Sequence, residues 1–133
     1  MTTVNLFYDF VDAKGVNIIR DWLDGLDPKA KAKVNARLNV LEQMDHVEWI
    51  RTNYVEILTG DKDGLIAIRL KYNRIQYRLL GYYGPDRGEV TLLVVCTERN
   101  DKYTPLGAHN TAFNRIGEVD ENPTLRKVRH EFR

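Results

Sequence analysis

The feature that most constrains the fold is the segment 65–80, in which apolar and polar side chains alternate on both sides of Asn73-Arg74. A period of two is typical of strands whose two faces meet different surroundings. Asn tolerates the left-handed conformation that a two-residue hairpin turn requires. With Asn73 and Arg74 as the turn residues, Arg69 lies directly opposite Arg78. The sequence therefore predicts an antiparallel hairpin with a defined register.

Two helices are predicted before this hairpin, because apolar residues there recur with helical spacing. The first runs from about 14 to 25, and the second from 28 to about 45. Asp27 and Pro28 are the residue types that helix N-termini prefer at the N-cap and first position. The short connection between the two segments predicts a helical hairpin.

Further strands are predicted on both sides of these elements. Residues 4–10 are rich in β-formers and predict a short strand, and residues 54–58 predict an edge strand. The segment 90–96 is nearly continuous in apolar residues, which is typical of a central strand covered on both faces. A last helix is predicted from Thr104-Pro105 to about residue 119.

Together these elements predict an α+β fold: a strand, a helical hairpin, a mostly antiparallel twisted sheet of about four strands, and a C-terminal helix. We assign residues 1–119 to one domain, as expected for a chain of 133 residues. Residues 120–133 are polar and mixed in charge, and they predict a mobile or partner-binding tail.

Composition excludes several classes of protein. Cys96 is the only cysteine, so an internal disulfide framework is excluded and a reducing cytoplasm is favoured. No apolar run is long enough to span a membrane, and the N-terminus lacks a signal-peptide pattern. His46, His109 and His130 are too far apart in sequence for a zinc motif. We expect a cytoplasmic protein without a metal or other cofactor.

The predicted register places two arginines against each other. Like charges directly opposed on a sheet face destabilise it, and the segment 64–85 holds Arg69, Lys71, Arg74 and Arg78 but no acidic residue. A bound phosphate would neutralise the pair, since guanidinium groups suit phosphate oxygens. The alternative, equally supported by residue types alone, is that these arginines are solvated or paired with acids from the helices.

The segment 98–104 is the second candidate. It leaves the predicted central strand and enters the predicted helix at Thr104, and helix N-termini attract phosphate. Arg99, Lys102 and Tyr103 would then lie near an anion. An ordinary surface network of these side chains is the alternative.

Three segments in this order resemble the RelE/ParE toxin superfamily, and specifically its HigB-like, phage-derived branch. They are GLIAIR at 64–69, IQYRLL at 75–80 and GEVTLL at 88–93, and they resemble the pattern G-L-x-E-L-R, Q-Y-R-I-L-Y and G-x-V-x-L-L. The resemblance covers about residues 4–119. It implies a toxin that cleaves messenger RNA on the ribosome without a metal and is neutralised by a cognate helix-turn-helix antitoxin.

The resemblance also implies roles for individual residues. Arg69, Arg78 and Arg99 would bind the scissile phosphate, and Lys71, Lys102 or Tyr103 would transfer protons. RNA contacts are further assigned to Lys71, Arg74 and Thr104. The antitoxin is expected to cover this basic face or to displace the helix after Thr104.

Three positions depart from the family pattern: Ala67 replaces Glu, Cys96 replaces Phe, and Glu98 with Arg99 replaces a pair of lysines. The general base is therefore left open. Two other functions remain under consideration, a ParE-like toxin that binds DNA gyrase without cutting RNA and a phage-derived RNA-binding protein without catalysis.

Overall fold

The computed structural model describes residues 4–133, and the centre of this described part is a mixed sheet of seven strands. The strands are β1 (Leu6–Phe10), β2 (Val55–Ile57), β3 (Ile66–Tyr72), β4 (Ile75–Tyr83), β5 (Glu89–Arg99), β6 (Lys102–Thr104) and β7 (Lys127–Arg129). Their order is β2-β3-β4-β5-β1-β7, with β6 beside β5. Only β1 and β5 are parallel. The α+β class is confirmed, and the sheet is larger than the four strands predicted.

Five helices cover the sheet in the described residues: α1 (Ile18–Asp24), α2 (Pro28–Gln43), α3 (His46–Trp49), α4 (Ala108–Glu121) and α5 (Pro123–Arg126). The helical hairpin is confirmed, and the Asp27 carboxylate accepts a hydrogen bond from the Lys29 backbone N–H as an N-cap. Helix α1 begins later than predicted. The Asp12 carboxylate instead accepts N–H bonds from Lys14 and Val16, and this holds the preceding residues in a turn.

Two apolar cores lie on opposite faces of the sheet. The α1–α2 hairpin packs on one face, with a core that includes Ile19, Leu23, Leu38, Leu41, Ile68, Leu70, Tyr77, Leu79 and Leu92. Helix α4 packs on the other face, with a core that includes Ala67, Leu80, Leu93, Val94, Cys96, Ala112 and Val119. Strand β5 contributes to both cores, which confirms that it is central.

A β-bulge interrupts the pairing of β4 with β5. Gly81 pairs with Leu92, but the neighbouring Leu80 pairs with Val94, so that Leu93 is the extra residue. A Cβ at position 81 would lie 2.8 Å from the backbone oxygen of Thr91. Glycine is therefore required where the two strands approach each other closely.

The predicted helix start at Thr104-Pro105 is wrong. Asn100 and Asp101 both adopt positive φ, 53° and 63°, and form a tight turn that folds β6 back along β5. Thr104 is the last residue of β6, and α4 begins only after Gly107, whose φ is 76°. The segment 98–104 is thus a β-hairpin, and the expected phosphate site at a helix N-terminus does not form there.

The segment 120–133 is integrated into the fold rather than extended as a mobile tail. After α4 and α5, β7 pairs antiparallel with β1 and completes one edge of the sheet. The following His130 is buried at 2% exposure. Its Nδ1 lies 2.8 Å from Oδ1 of Asp9 and its Nε2 lies 2.8 Å from Oδ1 of Asn35. The sequence did not predict this strand, because the segment is polar rather than apolar. Its polar side chains contact polar partners that are distant in sequence.

Candidate nucleic-acid interface

The register of the β3–β4 hairpin is the one predicted. Asn73 and Arg74 have φ of 52° and 67°, and Arg69 pairs directly with Arg78. Ala67 and Leu80 lie two residues along the strands from Arg69 and Arg78 and therefore point to the same face. Both belong to the core beneath α4. Both arginines therefore emerge on the face opposite the α1–α2 hairpin.

The two guanidinium groups then turn to different partners. Arg78 is buried at 8% exposure, and its Nε forms an ion pair with Oε1 of Glu98 at 2.8 Å. Its Nη2 donates to Oε1 of Gln76 at 2.9 Å. Arg69 is partly exposed, and its Nε donates to the backbone oxygen of Asn53 at 3.2 Å. The two opposed guanidinium groups thus have different polar partners.

The anion beside Arg78 is a carboxylate from strand β5, and not one from the hairpin itself or from the helices. Glu98 lies on β5, opposite Gln76, and therefore shares the face of Arg78. The Leu93 bulge is responsible, because one extra residue reverses the face of every residue after it. With unbroken pairing from Gly81 and Leu92, the side chain of Glu98 would point toward the α1–α2 hairpin.

A cleft of about 410 Å³ brings three of the predicted residues together. It is lined by Arg37, Asn53, Tyr54, Arg69, Leu70, Lys71, Gln76 and Arg78. Four of these side chains are cationic and none is acidic. Such a cleft attracts an anion, because cations on low-dielectric walls reinforce each other's field.

Five of the eight lining residues were not predicted as site residues, and two of these, Arg37 and Tyr54, contact each other. The Arg37 guanidinium carbon lies 3.6 Å from the centre of the Tyr54 ring, a cation–π contact, and Arg37 Nη1 donates to the backbone oxygen of Arg69. Burial lowers the pKa of Arg37 from its ordinary value. The sequence shows only an arginine on the polar side of a helix; its place beside the cleft depends on how α2 crosses β3.

A second cleft of about 500 Å³ holds two more predicted residues, Arg74 and Arg99. Gln76 lines both clefts, and Glu98 lines the second one. Five of the predicted residues therefore line two adjacent clefts: Arg69, Lys71 and Arg78 line the first, and Arg74 and Arg99 line the second.

The β5–β6 hairpin separates the remaining predicted residues. Tyr103 pairs with Glu98 and shares its face, whereas Lys102 pairs with Arg99 on the opposite face. Burial, reinforced by the charge of Glu98, raises the pKa of Tyr103. Thr104 is exposed on the same face as Lys102. Of this group, Tyr103 is the one that the structure brings to the Arg78 face.

His109 lies beside Tyr103, with ring centres 4.5 Å apart. Burial, together with the positive charge of Lys62, lowers the pKa of His109, so the ring is neutral at pH 7. Its Nε2 is buried and has no hydrogen-bond partner in the described structure. No local sequence pattern indicated that His109 would lie beside Tyr103.

Cys96 is the residue opposite Arg78 on β5. Burial raises the pKa of its thiol to about 12, and its Sγ donates to the backbone oxygen of Arg78. A thiol held in this form is a poor nucleophile. Across residues 4–133, no group of His, Cys, Asp and Glu side chains is arranged to hold a metal ion.

A comparison with known protein families gives one match. Residues 21–116, which include both arginines of the β3–β4 hairpin, match the family described as phage derived protein Gp49-like (DUF891). The chain belongs to the Gp49-like family. This phage-derived family is part of the RelE/ParE-like toxin group, which is related to toxin–antitoxin systems. Neither curated proteins nor solved structures show a match to the chain.

No helix among the described residues of this Gp49-like protein is both long and apolar enough to cross a membrane.

Proposed function

We propose that this Gp49-like protein is the toxin of a type II toxin–antitoxin system and belongs to the HigB-like branch. In this proposal it cleaves messenger RNA on the ribosome and is neutralised by a cognate helix-turn-helix antitoxin. The observation that carries the proposal is the cleft in which Arg69, Lys71 and Arg78 meet without a lining carboxylate. Membership of the Gp49-like family supports the same function.

The proposed reaction is attack of a ribose 2′-oxygen on the adjacent phosphorus. The 2′-O–P bond forms as the P–O5′ bond breaks, which leaves a 2′,3′-cyclic phosphate and a free 5′-hydroxyl. Arg69 and Arg78 stabilise the charge that develops on the phosphate oxygens. Arginine suits this role because it remains charged at every physiological pH.

Two proton transfers complete the reaction: the 2′-hydroxyl loses a proton, and the departing 5′-oxygen gains one. Tyr103 shares the face of Arg78 and carries its proton at neutral pH, so we assign Tyr103 as the acid. Its raised pKa weakens it as a proton donor. The base is drawn from Lys71 and Lys102. Lys71 is favoured because it lines the same cleft as both arginines.

Glu98 has a specific consequence for this proposal. An RNA phosphate must compete with the Glu98 carboxylate for Arg78, which lies 2.8 Å from it. We therefore expect weak activity on free RNA and stronger activity when the ribosome holds the message in place, because a positioned phosphate competes more effectively.

The test is cleavage of messenger RNA on translating ribosomes. We expect Arg69→Ala to lower the cleavage rate by about 100-fold, the effect of removing one donor from a charge-stabilising site. Arg51→Ala is the matched control, since Arg51 is an exposed cation outside both clefts that pairs with Glu48. Circular dichroism checks that both variants fold.

Full cleavage by a folded Arg69→Ala protein would refute the assigned site. Absence of cleavage by the wild-type protein, with growth arrest and altered DNA supercoiling, would favour the gyrase-binding ParE-like alternative instead.

A second candidate function is RNA binding without catalysis, and the Arg78–Glu98 ion pair favours it. The pair partly neutralises the arginine that would stabilise the transition state. In this case RNA binds to the cleft, yet neither the wild-type protein nor Glu98→Gln cleaves it on ribosomes.

A further inference from the structure

A third cleft, of about 270 Å³, continues the first one across the edge of β3. The two clefts share Arg37, Tyr54, Leu70 and Lys71. We call the combined depression the β3-edge groove and define it by Lys33, Arg37, Tyr54, Arg69, Lys71 and Arg78. It extends from the proposed phosphate site to helix α2.

The groove exists because β2 is shorter than β3. Strand pairing between them ends at Val55 and Ile68, and one more bond joins the Arg69 backbone N–H to the Tyr54 oxygen at 2.7 Å. Beyond Arg69, no strand covers this side of β3 within the described chain. Side chains from α2 and from the segment before β2 line the opening instead.

The charge of the groove is unbalanced. Lys33, Arg37, Arg69 and Lys71 have no carboxylate within 4.0 Å among residues 4–133, whereas Arg78 is paired with Glu98. Elsewhere on α2, Lys31 is paired with Asp24 at 2.7 Å. A line of cations without acids along one groove is the electrostatic footprint of a polyanion.

Arg37 adds a feature that a simple cation lacks. The Arg37 guanidinium carbon lies 3.6 Å from the centre of the Tyr54 ring, and a hydrogen bond from Nη1 to the Arg69 backbone oxygen holds the group in place. Arg37 also lines both clefts, so the guanidinium group borders the groove. Unstacked bases of single-stranded RNA stack on such guanidinium planes.

We infer that the β3-edge groove binds single-stranded RNA, with its backbone along Lys33, Lys71 and Arg69 and one base stacked on Arg37. This inference rests on the proposed function and extends the RNA path from the phosphate site to α2. It assigns Arg37 and Lys33 as RNA-binding residues.

An acidic peptide is the competing ligand, because an open strand edge can accept an added strand. The geometry disfavours this at the groove. The Arg69 oxygen, the next acceptor that an added strand would need, is already bonded to Arg37. Stacking on a guanidinium plane also favours a base over a peptide chain.

The experiment measures binding of a fluorescent single-stranded RNA of about ten nucleotides over a range of salt concentrations. Arg37→Gln removes the charge and the delocalised guanidinium stack, and we expect it to weaken binding about tenfold, the loss typical of one stacked base. Lys29→Gln removes an equal charge from the exposed start of α2, outside the groove, and is expected to bind within about twofold of wild type.

The salt dependence tests the backbone contacts. For single strands, each phosphate contact contributes about 0.7 to the slope of log affinity against log salt. We expect the double variant Lys33→Gln, Lys71→Gln to lower that slope by about 1.4. Arg37→Lys is expected to keep the slope and still lose affinity, because it retains the charge without the plane. Thermal denaturation checks that each variant folds.

Equal RNA binding by Arg37→Gln and Lys29→Gln, or no binding by the wild type at low salt, overturns the inference. So does binding of an acidic peptide with the same variant pattern when RNA shows none. Groove-dependent RNA binding without ribosomal cleavage supports the inference and refutes the nuclease. Cleavage that persists while Arg37→Gln leaves binding unchanged does the reverse.

Discussion

Two of the buried polar clusters in the described structure, one around His130 and one around Arg78, are built differently. His130 is 2% exposed, and both ring nitrogens have a partner at 2.8 Å. Arg78 is 8% exposed, its Nε lies 2.8 Å from a Glu98 carboxylate oxygen, and a cleft opens beside it.

The difference is that the cluster around His130 is closed, whereas the cluster around Arg78 borders an open cleft. At His130, Asp9 also accepts a bond from Asn17 at 3.0 Å, and every group of the cluster is satisfied within the fold. Such a cluster joins the C-terminal strand to the sheet, and none of its hydrogen-bonding groups is free to bind a ligand. At Arg78 a cleft opens beside the guanidinium group, which is the condition for binding an anion.

The largest expected effect is at His130. His130→Ala leaves Asp9, which is 1% exposed, with a buried carboxylate oxygen that has lost its partner. We expect the free energy of unfolding to fall by about 3 kcal/mol, measured by urea denaturation. His130→Gln, which retains hydrogen-bonding groups, is the control and should lose less. A loss below about 1 kcal/mol for His130→Ala would show that the cluster is not what holds β7.

Gly81→Ala tests the bulge that brings Glu98 to Arg78. The new Cβ would lie 2.8 Å from the Thr91 backbone oxygen, which cannot move without shifting β5. We expect a loss of about 1–3 kcal/mol in the free energy of unfolding. Gly117→Ala is the control, because it has open space around it in α4 and should stabilise the protein by about 0.5–1 kcal/mol. Equal stability of the two variants would contradict the close approach.

Glu98→Gln sharpens the contrast by releasing Arg78 from its charge partner. We expect affinity for single-stranded RNA to rise about fivefold, since one repulsive carboxylate is removed from beside the phosphate site. The same fluorescence titration measures the affinity. Glu118→Gln is the control, because it removes a carboxylate on α4 that pairs with Arg126. Unchanged affinity would mean that Glu98 does not compete with the phosphate.

The smallest effect is a pH dependence from His109. Its pKa is lowered from 6.5 by burial and Lys62, so the fold favours the neutral ring. The stability that the neutral ring contributes is fully present above pH 6.5, the ordinary pKa of histidine. It is lost as the pH falls through the lowered pKa of His109 in the folded protein. The melting temperature of the wild type should therefore fall more steeply than that of His109→Gln as pH is lowered from 7 to about 5. Parallel decreases would exclude the contribution.

Much of the fold follows from local patterns. The period of two around Asn73 and Arg74 predicted a hairpin whose register is confirmed pair by pair. Asp27 and Pro28 predicted the start of α2 correctly, because an N-cap acts within one helical turn. The same type of signal at Thr104-Pro105 predicted a helix start, and this prediction was wrong, because pairing of β6 with β5 extends the sheet through Thr104.

The candidate site was predictable only in part. Arg69 and Arg78 share a face because residues opposite each other in a hairpin must do so, and the sequence by itself determined this. The partners of that face were decided by the tertiary structure. Glu98 reaches Arg78 through the one-residue bulge at Leu93, and Arg37 lies beside Arg69 because α2 packs against β3.

The sequence alone thus determined the hairpin, the helical pair and the central strand, because each depends on periodicity and turn chemistry within a short segment. Only the tertiary structure decided which charges meet, and it also decided that the polar C-terminal residues form β7. Those outcomes depend on contacts between distant segments, such as His130 with Asp9, and on a bulge that shifts the register by one residue. A shift of one residue reverses the face of a strand while leaving its local sequence pattern unchanged.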